Sequence, residues 1–482
     1  MKHFYFSKLM IGMALLLVGQ SYLIAQNNIQ DVVINGQAFK KITGTISVDE
    51  TLDNSSLWVI EGIVEVAPNI TLTITEGTQI FAETTGTRLE VNQLGLVNWQ
   101  GTAANPIVFN SLANAPGQGA GNTARGQWSG IQINGAGGTD NSGTIRYVRL
   151  MYPGSDDDAF QFSSVGDQTV AEYIQVFRPG DNGIRINDGT INFKYLVSTD
   201  PTDQEAGIRW GDNWNGSGQF WVVNMLEGSE AILGRGGNGL LSNVTITGPA
   251  FNDTSAAFEG IGIRIRDGST AQIYNTAVTG VDVSIRFSNG SEQGVTDGVS
   301  FFRNSASFEN DPTSAGGAGF HSSAETFNPE DSAYVPTNNN STDSFSIVDS
   351  YVGTSTTNST AAGALDAFFT DVNYVGAVQN GNDWTEGWTV NLDGTPRTLS
   401  VNGFDIENIE VYPNPVVDEL IINSGTRISN MVIYNTMGRK VYENSSLVNG
   451  ENKINMSQFQ QGIYFLQLSS GDATQTLKVI KR

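Results

Sequence analysis

Three short stretches set an arginine between apolar residues and follow it with an aspartate: GIRIND (183–188), GIRWGD (207–212) and GIRIRD (262–267). In an extended strand, successive side chains face opposite sides. If Ile184 and Ile186 fill a core, Arg185 points outward. The same alternation sets Arg209 opposite Ile208 and Trp210, and Arg264 and Arg266 opposite Ile263 and Ile265. Strands stacked in register lie about 4.8 Å apart, so Arg185, Arg209 and Arg264 would form a cationic row, with Asp188, Asp212 and Asp267 at the following turns. Such a row has two uses. It can pair with the aspartates as surface ion pairs of small energetic value. It can also line a groove for an anionic sugar, with Trp210, Trp214 or Trp221 as stacking platforms. The sequence leaves both open.

Other chemistry is sparse. The chain has no cysteine, which excludes disulfides, thiolate metal sites and a thiol nucleophile. Beyond the leader there is one histidine, His321, in a Ser/Gly-rich stretch that reads as a solvated loop; imidazole catalysis and a multi-histidine zinc site are excluded. The acidic run Asp156-Asp157-Asp158 follows YPGS and reads as a solvated turn or a weak Ca²⁺ ligand cluster. No other cofactor is indicated.

These residues need a scaffold, and the repeats supply one. Gly183 to Gly207 and Gly207 to Ala231 are both steps of 24 residues. Second strands lie between the stations: GTINFKYLV (189–197), GQFWVVNML (218–226) and LLSNVTITG (240–248). Alternating apolar runs, turn residues between them and a period in the twenties predict the coils of a solenoid. The expected class is all-β: a right-handed parallel β-helix over residues 26–390 with end caps, then a linker at 391–407 and a small C-terminal β-sandwich at 408–482. Trp384 and Trp388 are expected to close the solenoid. An array of separate β-sandwiches is the rival reading, and it would show hairpin spacing without the longer period.

The N-terminus reads as a secretory signal peptide, residues 1–25, with Lys2 and Lys8 ahead of the apolar run Leu9–Gly19 and Ala25 before the cut. Its removal takes the net charge from −24 to −26. So acidic a chain repels nucleic acid and anionic lipid. No later stretch is apolar enough to span a bilayer as a helix, so no integral membrane segment is expected in the mature chain.

In the tail, Pro413 and Pro415 around Asn414 make a rigid corner, ELIIN (419–423) reads as a strand, and hairpins turn at Asn435–Gly438 and Gly471-Asp472. About seven strands fit into the last 75 or so residues. The tail resembles the type A C-terminal sorting domain of the type IX secretion system of Bacteroidetes. The matching residues are Tyr412-Pro413-Asn414-Pro415, Gly438-Arg439, Gly462-Ile463-Tyr464 and the terminal run Lys478, Val479, Ile480, Lys481. The resemblance implies passage through the periplasm, with the type IX translocon and its sortase as partners, and a secreted or surface-attached product. The body resembles secreted right-handed β-helix proteins of the same bacteria through GQWSGIQINGAG (126–137), GTIRYVRLMYPG (143–154), DNGIRINDGT (181–190) and FTDVNYVGAVQNGNDWTEGWT (369–389).

Two functions follow as expectations. The first is non-enzymatic binding of glycans, or adhesion, through Arg185, Arg209, Arg264, Trp210 and Trp214. The second is a polysaccharide lyase acting on acidic glycans with an arginine base and Ca²⁺. The polygalacturonase set, which needs an Asp-Asp pair, a Gly-His and an Arg-Ile-Lys, is not assembled here.

Overall fold

The computed structural model describes residues 27–482 except 258, 311–319, 323–337, 399–408, 425–427, 437, 446–449 and 471–472. The leader at 1–25, most of the linker at 391–407 and the turn Gly471-Asp472 fall outside the described residues. The chain forms two compact units that divide between Ala377 and Val378.

The first unit is a parallel β-helix. An antiparallel hairpin, Ile29–Ile34 with Gln37–Ile46, opens it, and every later ladder among its named strands is parallel. Each coil contributes a strand that pairs with the equivalent strand one coil on, and about ten coils stack. The stacking follows from the alternation in sequence. Ile131, Phe160, Ile184, Ile208, Ile232, Ile263 and Ile285 are in register and buried, one above the next. Burying a side chain of that size contributes about 1.5–3 kcal/mol, but only against neighbours on both sides, so a single coil cannot stand alone. The expected solenoid is therefore the observed one.

Large residues fit this core where the next coil makes room. Trp210 stands in register between Ile186 and Gly234. A Cβ on Gly234 would sit 2.3 Å from the indole, so glycine is the residue that lets Trp210 lie flat across the coil. Trp210, Trp214 and Trp221 are all fully buried. This corrects the expectation that Trp210 and Trp214 stack on a ligand: their indoles are core, and their N–H groups are spent on Ser269 Oγ (3.2 Å) and the Ile191 carbonyl (2.9 Å).

One side of the solenoid is clothed by its own chain. The segment after Ser341 runs back along the strands Phe193–Thr199, Ser217–Asn224 and Asn238–Thr247. Gln219 holds Thr370 through both its amide groups, at 2.9 and 2.8 Å. Asn224 donates to the Ser350 carbonyl (2.7 Å), Asn243 to that of Tyr374 (2.7 Å), and Asn275 to that of Thr360 (2.8 Å). Side-chain amides here satisfy the backbone of a segment with little ladder pairing of its own, as buried polar groups require. His321 is corrected as well: it lies on the strand Phe320–Ser322, paired with Val283–Phe287, not in a loop.

The second unit begins with a tight turn region in which Arg397 binds Asp383 (2.8 Å), Thr385 (3.1 Å) and Asn391 (2.9 Å), and Trp388 is buried. Among the described residues seven strands follow, as expected, in two antiparallel sheets. One contains Ile409–Tyr412, Glu419–Ser424 and Gly450–Asn455; the other contains Lys440–Asn444, Asn430–Asn435, Gly462–Ser470 and Ala473–Lys481. Leu420, Ile422, Met431, Ile433, Leu466, Leu468 and Val479 fill the space between them.

Candidate functional site

The arginines do form a row. Register carries one outward line from coil to coil: Glu65, Glu90, Gln132, Gln161, Arg185, Arg209, Leu233, Arg264, Arg286. Its charge runs from acidic through neutral to basic along the axis. Leu233 interrupts the cations, but Arg235 stands two residues on in the same coil and pairs in register with Arg266. The basic half is thus two neighbouring lines: Arg185, Arg209, Arg264 and Arg286 in one, Arg235 and Arg266 in the other. Five rungs at about 4.8 Å extend over ~19 Å.

The counter-ions are not all where the sequence put them. Arg185 Nε lies 4.0 Å from Asp158, Arg209 3.7 Å from Glu205, and Arg264 2.8 Å from Glu230. Glu205 precedes its arginine's strand, Asp158 comes from the turn before the neighbouring coil's strand, and Glu230 opens the neighbouring coil's strand Glu230–Gly236. Of the aspartates at the following turns, Asp267 takes Arg235 (2.7 Å) and Arg266 (3.2 Å), while Asp188 caps the amide of Gly189. Asp188 and Asp267 are held in the left-handed backbone conformation, and Asp267 pairs both with the adjacent Arg266 and with Arg235 of the neighbouring coil.

Pairing is therefore uneven. The Arg209 guanidinium is held below its usual proton affinity by burial first, then by Arg185 and Arg235. Arg286 is lowered the same way, by burial and by Arg264. Among the described residues the buried Nε groups of Arg209 and Arg286 have no hydrogen-bond acceptor. Cations crowded at this spacing, two of them with long ion pairs, form a surface that an external anion relieves.

The acidic run does not converge. Asp156 accepts from Ser129 and Ser155, and those hydrogen bonds hold its carboxyl below the usual range. Asp157 binds Arg88 at 3.1 Å. Asp158 accepts from Asn182 at 2.7 Å and faces Arg185. Among the described residues no three His, Cys, Asp or Glu side chains gather as a metal site. Asp156, Asp157 and Asp158 thus do not fit a Ca²⁺ ion, and no chemical step is routed through one.

Sequence reasoning missed Arg286 and the true partners. Aligning DDDAFQF (156–162) with GDNGIRI (180–186) would have placed Asp158 opposite Asn182 one coil on, near Arg185.

In the tail, Asn414 ties the two ends of the sandwich together. Its amide donates to the Lys478 carbonyl (2.7 Å) and its oxygen accepts from the Ile480 amide (2.9 Å). Val416 continues the contact, giving its amide to Ile480 and accepting from Arg482. Tyr464 is buried with its hydroxyl on the Gln460 carbonyl (2.9 Å), Gly438 closes the hairpin turn on Asn435, Lys478 is exposed and Lys481 buried.

A parallel β-helix bearing a row of arginines is followed by a sandwich latched by its own last strand. The chain belongs to the pectate-lyase-like β-helix domain family, whose model matches residues 44–389. Residues 410–482 match the secretion system C-terminal sorting domain, which marks the protein for type IX export and for secretion or attachment at the cell surface. Over 83 residues the chain is 35% identical to ulvan lyase NLR42 of Nonlabens ulvanivorans, a match covering 17% of this chain and 15% of that protein. No solved structure matches the chain. No helix among the described residues is long and apolar enough to cross a membrane.

Proposed function

We propose that the β-helix binds acidic glycans through the row Arg185, Arg209, Arg264 and Arg286, with Arg235 and Arg266 beside it, and serves attachment or adhesion outside the cell without cleaving the polymer. One observation supports this most: in-register arginines with incomplete counter-ion pairing on a chain of net charge −24. Guanidinium groups recognise carboxylate and sulfate in a two-pronged way, and neighbouring rungs offer several at once. Contact is through charge and hydrogen bonds, because the tryptophans that could stack are buried. The test is binding of the full chain to polyuronates, sulfated polysaccharides and neutral glucans, compared with the Arg185→Ala/Arg209→Ala/Arg264→Ala variant. Equal retention of variant and parent on every acidic polymer rejects the row.

A second reading is a lyase on the same face, favoured by the lowered proton affinity of Arg209 and by a family named for pectate lyase. A neutral Arg209 would take the proton α to a uronate carboxylate, and the glycosidic oxygen would leave as the double bond forms. Ultraviolet absorbance of unsaturated products, followed with and without chelator, separates the readings: product formation lost in Arg209→Ala supports the lyase, and retention without product across a broad panel supports binding alone.

A further inference from the structure

A second charged cluster sits at the corner where one coil passes to the next. Arg178 and Asp200 both hold left-handed backbone conformations there, with φ of 50° and 53°. Outside glycine this conformation costs about 1–2 kcal/mol and persists only where the surroundings fix it. The Asp200 side chain is only 2% exposed, yet it is met by two guanidiniums, Arg178 Nε at 2.8 Å and an Arg125 terminal nitrogen at 2.7 Å. Arg125 also donates to the Asp200 backbone carbonyl. It arrives on the loop after Leu112–Asn114, which can lie against the coils because glycines meet there: a Cβ on Gly180 would stand 2.5 Å from the Gly154 carbonyl oxygen and 2.8 Å from Gly126 Cα.

Arg125, Arg178 and Asp200 do not balance among themselves, and only the loosely held Glu227 makes the cluster neutral. Two guanidiniums on one buried carboxylate leave one positive charge over. Glu227 answers it from 3.6 Å, beyond hydrogen-bond reach, and its side chain remains 52% exposed. Between these groups is a cavity of about 290 Å³ walled by Thr123, Ala124 and Leu226, the last an exposed aliphatic face. The size is near the lower end of small-molecule sites, room for one sugar ring.

We propose that this corner binds a single pyranose unit carrying one anionic group, a carboxylate or a sulfate. Arg125 and Arg178 receive the anion, Asp200 acts as a positioning residue that holds both guanidiniums, and the ring packs on Leu226. The ligand's anion displaces the Glu227 carboxylate, which is free to swing into solvent. The site uses none of the arginine row and does not rest on the function proposed above.

The experiment titrates the full chain with glucuronate, glucose 6-sulfate and glucose by calorimetry. Saturable binding of at least one acidic sugar, with none for glucose, is expected. Glu227→Gln removes the competing charge and should tighten acidic-sugar binding about three- to tenfold, whereas Arg178→Gln should weaken it at least about tenfold. Because Arg178→Gln disturbs a buried pair, thermal unfolding is recorded on the same sample; the exposed Glu227→Gln carries the test if that variant does not fold. The proposal is overturned by no saturable binding of either acid to both parent and Glu227→Gln, by glucose binding as tightly as the acids, or by unchanged or weaker binding in Glu227→Gln.

Discussion

Lowering the pH from about 7.5 to about 5 should tighten the grip of the arginine row on an acidic glycan, and Asp158 is the reason. Its carboxylate is largely buried, 4.0 Å from Arg185. Burial pushes its carboxyl up to about 6, against the pull of Arg185 and the Asn182 amide and with help from Asp181 and Asp157. Above that value Asp158 is an anion that competes with the ligand for Arg185. Below it the group is neutral, while a uronate or sulfate on the ligand stays ionised. Two like charges about 6 Å apart, at an effective dielectric near 40, repel by about 1.4 kcal/mol, or about tenfold in affinity. Asp158→Asn should therefore bind at neutral pH as tightly as the parent does at acidic pH, with a flat profile between. Stability moves in the same direction. Folded Asp158 keeps its proton from the ordinary value of 3.8 up to about 6, so folding takes up a proton in that window. Its contribution then becomes unfavourable as pH rises through the window, by about 3 kcal/mol in full, and Asp158→Asn should recover much of this at neutral pH. Calorimetric titration at fixed ionic strength and chemical denaturation at the same pH values measure both effects. A pH-independent parent, or an Asp158→Asn protein that binds more weakly at neutral pH, refutes the reasoning.

Other outcomes follow from the same geometry. Arg209→Ala should reduce acidic-glycan affinity by about ten- to a hundredfold, the usual worth of a charge-assisted contact, with little change in unfolding midpoint. Affinity should fall as salt rises; a rise with salt would mean that the net charge of the chain, not the local row, governs association. Trp210→Ala should cost about 3–5 kcal/mol of stability, and ligand should leave tryptophan emission of the parent unchanged, because the indole is core. Asn414→Ala removes two hydrogen bonds that tie the YPNP corner to the last strand and should destabilise the sandwich by about 1–3 kcal/mol, read as an earlier unfolding transition and lower extracellular yield.

The solenoid was legible because its signal is periodic. Ile184, Ile208, Ile232 and Ile263 repeat at coil length, and alternation then sends Arg185, Arg209 and Arg264 outward without further information. The ion partners were not legible. They depend on the backbone conformation at the turns, where Asp188 and Asp267 are left-handed, and on the Asp158–Arg185 contact between coils. The tryptophans were half legible. Trp210 alternates with Arg209 and so belongs inside, which is at odds with a stacking platform for a ligand. Its place depends on Gly234 one coil later, a pairing that appears only once register is known. The return segment had no strand periodicity at all, since side-chain amides such as Gln219 and Asn275 hold it instead of a ladder.

That return segment bears on which surface is available. It takes up the amides and hydroxyls on the outside of Phe193–Thr199, Ser217–Asn224 and Asn238–Thr247, so that side is spent on the chain itself. The arginine side carries no such cover among the hydrogen bonds described. A net charge of −24 does not forbid an acidic ligand there. Screening answers this, because at physiological salt a charge is felt over about 8 Å, less than two rungs of about 4.8 Å. A ligand group at Arg209 therefore senses Arg185, Arg235 and Glu205 and little of the distant acidic surface. The same acidic surface repels the polymer wherever it strays from the row. On the function proposed above, overall negative charge and the local cationic strip would act together: the first would keep unspecific contacts weak, and the second would fix where an anionic chain rests.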